Sequence, residues 1–293
     1  EFGAGRMTAL RTFSLKRDIW LQDHRPLRAL ADPPVSAIMA VEAMLEAARV
    51  LYPYLAPGGL RDLDLCQFLA VPFGTAVPAR IQVRTLALGP AETVVETVLE
   101  SQELPGRKDH WFPNFRAQVV LVPGQPGPVA CPPGFPLSAA AIATPPVNRE
   151  EARRFYAENS VMADRYRVVD SIQETGPDVI VGSMTCENWV DFADHDVAGY
   201  QYAPYVLEGL MHLARFHQGL RDKADRREMV PRRIAEVRLG RRPASGERIR
   251  LEACWTQETA IDRTWNACAR DAAGVPVLAV RGLVMKWFGE GGK

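Results

Sequence analysis

The chain has 293 residues, of which 47% are apolar and 24% charged, a composition that excludes disordered, collagen-like and disulfide-scaffold proteins. Its 35 basic and 35 acidic residues balance, so the sequence offers no overall positive charge to attract nucleic acid or an anionic membrane. Because no window approaches about 18 consecutive apolar residues and no signal-peptide core is present, we expect a cytoplasmic protein without a membrane span.

The first half of the chain predicts an extended segment, a helix and then several strands. The residues ahead of Met7, Glu1–Arg6, resemble a cloning scar. The extended segment is Thr12–Leu21, and the apolar spacing that follows predicts a helix from about Pro34 to Val50. Alternating apolar and polar residues bounded by Gly and Pro predict four strands, at Leu63–Val71, Arg80–Leu88, Thr93–Leu99 and Arg116–Val122.

A proline-rich stretch from Pro123 to Pro146 follows these strands. Its prolines and small residues cannot sustain a helix or a central strand. We therefore predict an N-terminal unit over residues 7–122, a linker over 123–148 and a C-terminal unit over 149–293.

The second half repeats the order of the first. A short charged helix, Arg149–Glu158, comes first, and a second helix is predicted from about Tyr205 to His217. The last hairpin turns at Ala272-Ala273-Gly274. The six predicted strands are Tyr166–Ile172, Val179–Asn188, Arg233–Leu239, Arg248–Trp255, Thr264–Arg270 and Val277–Trp287.

The shared order of elements predicts the fold. A helix near the start of a mostly antiparallel sheet buries its apolar stripe most economically when the sheet curls around it. We therefore expect an α+β fold of the double-hotdog type, in which two helices are each wrapped by a mostly antiparallel β-sheet.

The cysteines are five in number and scattered, with no Cys-x2-Cys pair. This pattern argues against a disulfide framework and a zinc site, and it fits a reducing compartment. We expect no metal, and buried free thiols at Cys66, Cys131, Cys186, Cys254 and Cys268.

The segment that precedes each main helix contains the same sequence pattern. In the first half the pattern is Asp23-His24-x3-Arg28-x4-Pro33, and in the second it is Asp194-His195-x3-Gly199-x4-Pro204. Two copies with the same spacing, each just before the helix of its half, indicate related positions in a two-fold repeated fold.

Three segments carry a resemblance to a known family. The stretch from Asp23-His24 through Pro33-Pro34-Val35 to Ala40–Ala48 resembles the first active-site segment of polyketide synthase dehydratase domains, most closely those of bacterial iterative and polyunsaturated-fatty-acid-type synthases. Phe68–Phe73 looks like a strand segment of that family, and Pro204-Tyr205-Val206-Leu207-Glu208-x3-His212 is similar to its second active-site helix. The resemblance covers nearly the whole chain.

The resemblance implies a reaction and roles for particular residues. The family removes water from a β-hydroxyacyl thioester on an acyl carrier protein, which requires a base for the α-proton and an acid for the departing hydroxyl. His24 would be the base and Glu208 the acid, with His212 on the same helix face to orient the carboxyl. Arg28, Pro33 and Pro204 would contact substrate. No cofactor is needed beyond the phosphopantetheine that carries the substrate.

The chain departs from the family pattern in three places. Arg28 replaces the glycine of the first motif, and Met162–Tyr166 replaces a Gly-Pro segment before an aromatic residue. The copy with its glycine intact is the second, so a second-choice site would pair His195 with Glu42. These departures leave open another thioester reaction on the same fold, namely cyclisation, isomerisation or hydrolysis, or a catalytically silent scaffold that docks carrier proteins.

The remaining candidates concern partners. A basic run from Arg221 to Arg233 follows the second helix, and Arg226, Arg227 and Arg232 would dock an acidic carrier protein. The resemblance also implies neighbouring domains of a synthase and allows a homodimer. His110 and His217 have no acid–base partner at a readable spacing, so we expect them to be structural or solvent-facing.

Overall fold

The computed structural model describes residues 2–3, 5–28, 30–102, 110–132, 149–159, 162–186, 200–221 and 228–288. Within them the predicted double hotdog is confirmed: two long central helices are each enclosed by antiparallel strands. No helix in these ranges combines the length and apolarity that crossing a bilayer requires.

In the N-terminal hotdog the central helix α1 spans Ala37–Leu51. Its residues are almost all apolar or small and buried, as expected for a helix surrounded by its own sheet. The preceding prolines keep the chain extended, so the helix begins only after Ser36, the N-cap. The strands around it are β1 (Phe2–Gly3), β2 (Arg6–Ser14), β3 (Leu55–Leu65), β4 (Ala76–Leu88), β5 (Thr93–Gln102) and β6 (Trp111–Pro123).

The C-terminal hotdog begins with the predicted charged helix α2, Arg149–Asn159, which packs against the first strand of this half. Its central helix α3, Pro204–Arg221, starts with a proline, whose missing N–H costs nothing at the first helical position. The strands are β7 (Ser171–Thr175), β8 (Val179–Thr185), β9 (Glu228–Leu239), β10 (Arg248–Glu258), β11 (Asp262–Arg270) and β12 (Pro276–Phe288).

The two hotdogs share one sheet. The order of the described strands is β1-β2-β4-β5-β6-β3-β9-β12-β11-β10-β8-β7, and every neighbouring pair is antiparallel. The halves join where β3 pairs with β9, with Leu60 opposite Val237 and Leu63 opposite Ile234. Residues of both halves therefore meet along this junction and between the two central helices, which contact each other.

Gly59 lies at that junction with φ of 155°, and a Cβ there would collide with the carbonyl oxygen of Val237. We expect Gly59→Ala to lower the free energy of unfolding by about 2 kcal/mol or more, because the β9 backbone must move to admit the methyl group. Thermal unfolding measures the loss. Gly127→Ala is the control, since no neighbouring atom lies within 4 Å of its Cβ position. Equal melting temperatures for the two variants would contradict the proposed collision.

Three of the predicted extended segments are wrong. Tyr166–Ile172 is a strand only from Ser171 onward, because Asp164–Tyr166 forms a 3-10 helix. Thr12–Leu21 is not continuous, because β2 ends at Ser14, whose main-chain N–H donates to the Asp18 carboxylate, and Ile19–Asp23 forms a 3-10 helix. Leu63–Val71 is a strand only to Leu65. The residues beyond it pair with the segment before α1 instead, Val35 N–H donating to Leu69 and Val71 N–H to Pro33.

The expectation of five buried free thiols is also wrong. Cys131 and Cys268 form a disulfide, although 137 positions separate them. Of the other three cysteines, Cys186 is buried and Cys66 is exposed. The pairing follows from the fold, which brings the segment after β6 against β11.

The division of the chain into two units joined by a linker stays a prediction. Pro123 ends β6, as expected for the start of the linker, and residues 133–148 lie outside the described part of the chain. Within the segment interpreted as a cloning scar, Phe2–Gly3 pairs with Arg6–Met7 at the sheet edge.

Candidate active site

His24 lies just after the 3-10 helix of the first half, with its side chain buried. Its Nδ1 lies 2.8 Å from the carbonyl oxygen of Pro34. Because a carbonyl can only accept, Nδ1 carries the proton and Nε2 is the basic nitrogen. Burial lowers the pKa of His24, and the negative charge of Glu208 opposes that shift in part. The imidazole is therefore held neutral, as a base must be.

The segment that departs from the family pattern, Met162–Tyr166, holds the His24 loop in place. The main-chain oxygen of Asp23 accepts from Ala163 N–H at 3.1 Å, and its carboxylate pairs with Arg165. The ring of Tyr166 packs on His24 with 4.8 Å between centroids. Its hydroxyl donates to Ser36 Oγ at 3.0 Å. The side chain of His24, in the first half, is thus positioned by residues of the second half.

Glu208 lies in the first turns of α3, with only 3% of its surface exposed. Its Oε1 lies 2.9 Å from Nε2 of His212, one helical turn further along. The other ring nitrogen of His212, Nδ1, lies 2.9 Å from the hydroxyl of Tyr156 on α2. The predicted Glu208–His212 pair therefore exists, and it continues to a third residue.

His24, Glu208 and His212 line one cavity of about 460 Å³. A volume of this size holds a small organic ligand. Four residues of its described lining are exposed and mark its mouth: Cys66, Gln67, Phe68 and Arg232. Its walls are largely apolar and come from both halves, including Val35, Ala37, Phe115, Met162, Met211 and Met229. The structure thus brings the predicted base and the predicted acid together in one largely apolar cavity.

A partly buried arginine, Arg215, also lines this cavity. Burial lowers its pKa, and the carboxylate of Glu228, 3.9 Å away, opposes that shift. Glu228 also accepts from the main-chain N–H of Arg28 at 3.0 Å. Glu228 therefore connects the loop that follows His24 to the helix that bears Glu208.

The sequence predicts that Arg28, Pro33 and Pro204 contact substrate. The described lining does not include Arg28, Pro33 or Pro204, so their contact with substrate stays a prediction. Arg28 is not among the described non-glycine residues with positive φ, so its backbone does not need the freedom of the family's glycine. The carbonyl of Pro33 accepts from Val71, and Pro204 begins α3.

The structure describes only one of the two residues of the second-choice site, Glu42. Glu42 is buried in α1, and burial raises the pKa of its carboxyl to about 8. Its Oε1 accepts from the main-chain N–H of Gln201 at 2.6 Å. His195 lies outside the described residues, so its pairing with Glu42 stays a prediction.

Several other predicted residues can be placed. Arg232 is exposed at the cavity mouth, whereas Arg226 and Arg227 lie outside the described residues. His110 is exposed. His217 is buried, with Nε2 near the Gly176 carbonyl oxygen and its ring against Trp265. The described residues include no group of three or more His, Cys, Asp or Glu that could hold a metal ion.

Sequence reasoning missed Tyr156 and Arg215, and it did not assign Tyr166 a role. All three contact the site from elements of the second half. One signal was present for Tyr156: it lies in the helix REEARRFYAEN, where an aromatic residue among charged ones points to burial. The spacing along the chain gives no indication of its partner, which lies 56 positions away.

Comparison with known proteins gives consistent results. Residues 136–293 match the family model described as polyketide synthase dehydratase N-terminal domain. None of the curated proteins matches the chain.

Among solved structures, the dehydratase domain from the CurF module of curacin polyketide synthase has a TM-score of 0.73 at 14% identity, covering 97% of this chain and 94% of its own. The dehydratase domain of PpsC from Mycobacterium tuberculosis has a TM-score of 0.67 at 16% identity, covering 98% and 94%. A bifunctional dehydratase-cyclase domain in ambruticin biosynthesis has a TM-score of 0.64 at 18% identity, covering 97% and 92%. These structures share the fold of this chain.

Proposed function

The chain belongs to the polyketide synthase dehydratase family, and from that premise we propose that it removes water from a β-hydroxyacyl thioester carried by an acyl carrier protein. The observation that supports this most is the pairing of a neutral imidazole, His24, with a carboxyl group, Glu208, in one largely apolar cavity. Such a pair supplies the base and the acid that elimination of water requires.

The proposed reaction uses each group once. Nε2 of His24 takes the α-proton, and the electron pair of that C–H bond becomes the double bond between the α- and β-carbons. The bond from the β-carbon to the hydroxyl oxygen breaks, and the Glu208 carboxyl gives its proton to that oxygen, so water leaves. His24 ends protonated and Glu208 ionised, and a proton returns from His24 to Glu208 before the next turnover.

The thioester carbonyl would lie at the start of α1, where Ala37 lines the cavity. The first N–H groups of a helix lack intrahelical partners, and they point toward its N-terminal end. There they would stabilise the negative charge that develops on the carbonyl oxygen as the α-proton leaves. We further propose that the protein acts in the cytoplasm as part of a multidomain synthase, as a possible homodimer, and without a cofactor of its own.

One incubation tests the reaction class. The protein is mixed with a set of 3-hydroxyacyl thioesters on carrier protein, and the acyl-carrier mass is followed. We expect a loss of one water. Release of the free acid would indicate a hydrolase, and an unchanged carrier with every substrate would favour a silent scaffold. A product of unchanged mass but new ring or double-bond position would indicate a cyclase or isomerase.

A separate prediction concerns carrier docking. Carrier proteins are generally acidic, and Arg232 is an exposed residue of the cavity lining. We propose that Arg232, together with Arg226 and Arg227 of the same basic run in the sequence, attracts the carrier. Changing all three to Glu should raise KM for carrier-bound substrate several-fold at low salt. KM for a small N-acetylcysteamine thioester should change little. Equal losses with both substrates would show that the arginines serve folding or chemistry instead.

A further inference from the structure

A chain of hydrogen bonds extends from Glu208 into the protein. Nε2 of His212 lies 2.9 Å from Glu208 Oε1, and Nδ1 of His212 lies 2.9 Å from the Tyr156 hydroxyl. The hydroxyl oxygen also accepts from the main-chain N–H of Val169 at 3.1 Å. Tyr156, His212 and Glu208 are all buried, so these hydrogen bonds form in a poorly solvated environment where each is stronger than it would be in water.

The hydrogen-bond donors and acceptors around Tyr156 and His212 determine which of their atoms carry a proton. Among the described residues, His212 Nδ1 is the one acceptor within hydrogen-bond distance of the Tyr156 hydroxyl, because the contact with Val169 is already donated by its N–H. A buried hydroxyl that has an acceptor uses it. Burial also raises the pKa of Tyr156, so the phenol keeps its proton. Tyr156 therefore donates to Nδ1, and a neutral His212 carries its proton on Nε2.

This arrangement matters when Glu208 is protonated. A carboxylic acid beside an imidazole has two choices: its O–H can donate to Nε2, or its carbonyl oxygen can accept from Nε2–H. The first choice directs the acidic proton to His212. The second leaves the acidic proton on the other oxygen of Glu208, which has no hydrogen-bond partner among the described residues and is available to the cavity.

We propose that Tyr156 is a positioning residue that holds His212 in the Nε2–H form, so that the proton of Glu208 points to substrate. This inference rests on the proposed function of Glu208 as the acid. Tyr156 acts only through His212, and it touches neither substrate nor the reacting atoms.

Nitrogen-15 NMR of the histidine rings tests the tautomer without any substrate. We expect His212 in the Nε2–H form in the wild-type protein and a substantial Nδ1–H population in Tyr156→Phe. Tyr202→Phe is the matched control, since Tyr202 is also 3% exposed and donates one buried hydrogen bond, to the Ile38 carbonyl oxygen. An unchanged tautomer in Tyr156→Phe would overturn the proposal.

Kinetics give an independent test. Tyr156→Phe should lower kcat roughly five- to tenfold, with KM nearly unchanged, which is the effect expected for one misdirected hydrogen bond. In a His212→Leu background the same change should have no further effect on kcat, because Tyr156 has lost the residue through which it acts. Equal losses in both backgrounds would overturn the proposal. The two proposals can fail separately. If the tautomer changes as expected but the wild-type protein dehydrates no thioester, the role of Tyr156 is supported and the proposed function is overturned.

Discussion

The variant His24→Ala is expected to lower the rate of dehydration by a factor on the order of 10² or more, because it removes the base from the cavity. The hydrogen bond to Pro34 leaves Nε2 as the nitrogen that can take a proton. The other imidazole in the described lining, His212, is bonded to Glu208 and Tyr156 and is not free for that purpose. The rate is measured on an N-acetylcysteamine thioester, and circular dichroism checks that the fold persists.

The control for this variant is His110→Ala, which removes an exposed histidine and should leave the rate unchanged. His195→Ala is the critical comparison, because it tests the second-choice site with Glu42. If His195→Ala abolishes dehydration and His24→Ala does not, the chemistry belongs to that site.

The pH dependence should reflect the environment of His24. Burial lowers its pKa below the ordinary value of 6.5, so the neutral form persists to lower pH than in an exposed histidine. We therefore expect the acidic limb of kcat/KM to fall below pH 6.5. The same shift links proton binding to unfolding: the unfolded chain binds this proton more readily, so the contribution of His24 to stability is present above pH 6.5 and is lost as pH falls through the lowered pKa.

The sequence contained enough information to predict the fold and the central pair of the site. The apolar residues of α1 and α3 are local patterns, and the repeated Asp-His motif marks where the chain approaches each helix. Glu208 and His212 are one helical turn apart, so their contact follows from helix geometry alone. These features depend on neighbours close in sequence, which is why they could be recognised.

The features that were missed depend on distant parts of the chain. The contact between Tyr156 and His212 spans 56 positions, and the disulfide of Cys131 and Cys268 spans 137. The hydrogen bond from Arg28 to Glu228 spans 200. No spacing rule connects such residues, since only the folded sheet brings them together. The substitution of Arg28 for glycine could be interpreted only once its backbone and its partner were known.

Glu208→Gln should reduce dehydration by a factor similar to that for His24→Ala, on the order of 10² or more, because the amide has no acidic proton for the departing hydroxyl. The substitution is nearly isosteric and keeps an oxygen that can accept from His212, so the fold should persist. Glu208→Gln therefore removes the proton donor while leaving the packing of the side chain unchanged. Its rate is measured on the same N-acetylcysteamine thioester.

A change of leaving group separates the acid from the base. Chloride departs without a proton, so a 3-chloroacyl thioester should still undergo elimination in Glu208→Gln, whereas His24→Ala should fail with both substrates. Glu42→Gln is the matched variant, since Glu42 is the other buried glutamate on a central helix. Equal activity of Glu208→Gln and the wild type on the 3-hydroxyacyl substrate would remove Glu208 from the role of acid. If only Glu42→Gln loses dehydration activity, the role of acid belongs to the second-choice site. There burial raises the pKa of the Glu42 carboxyl to about 8, which favours its protonated form.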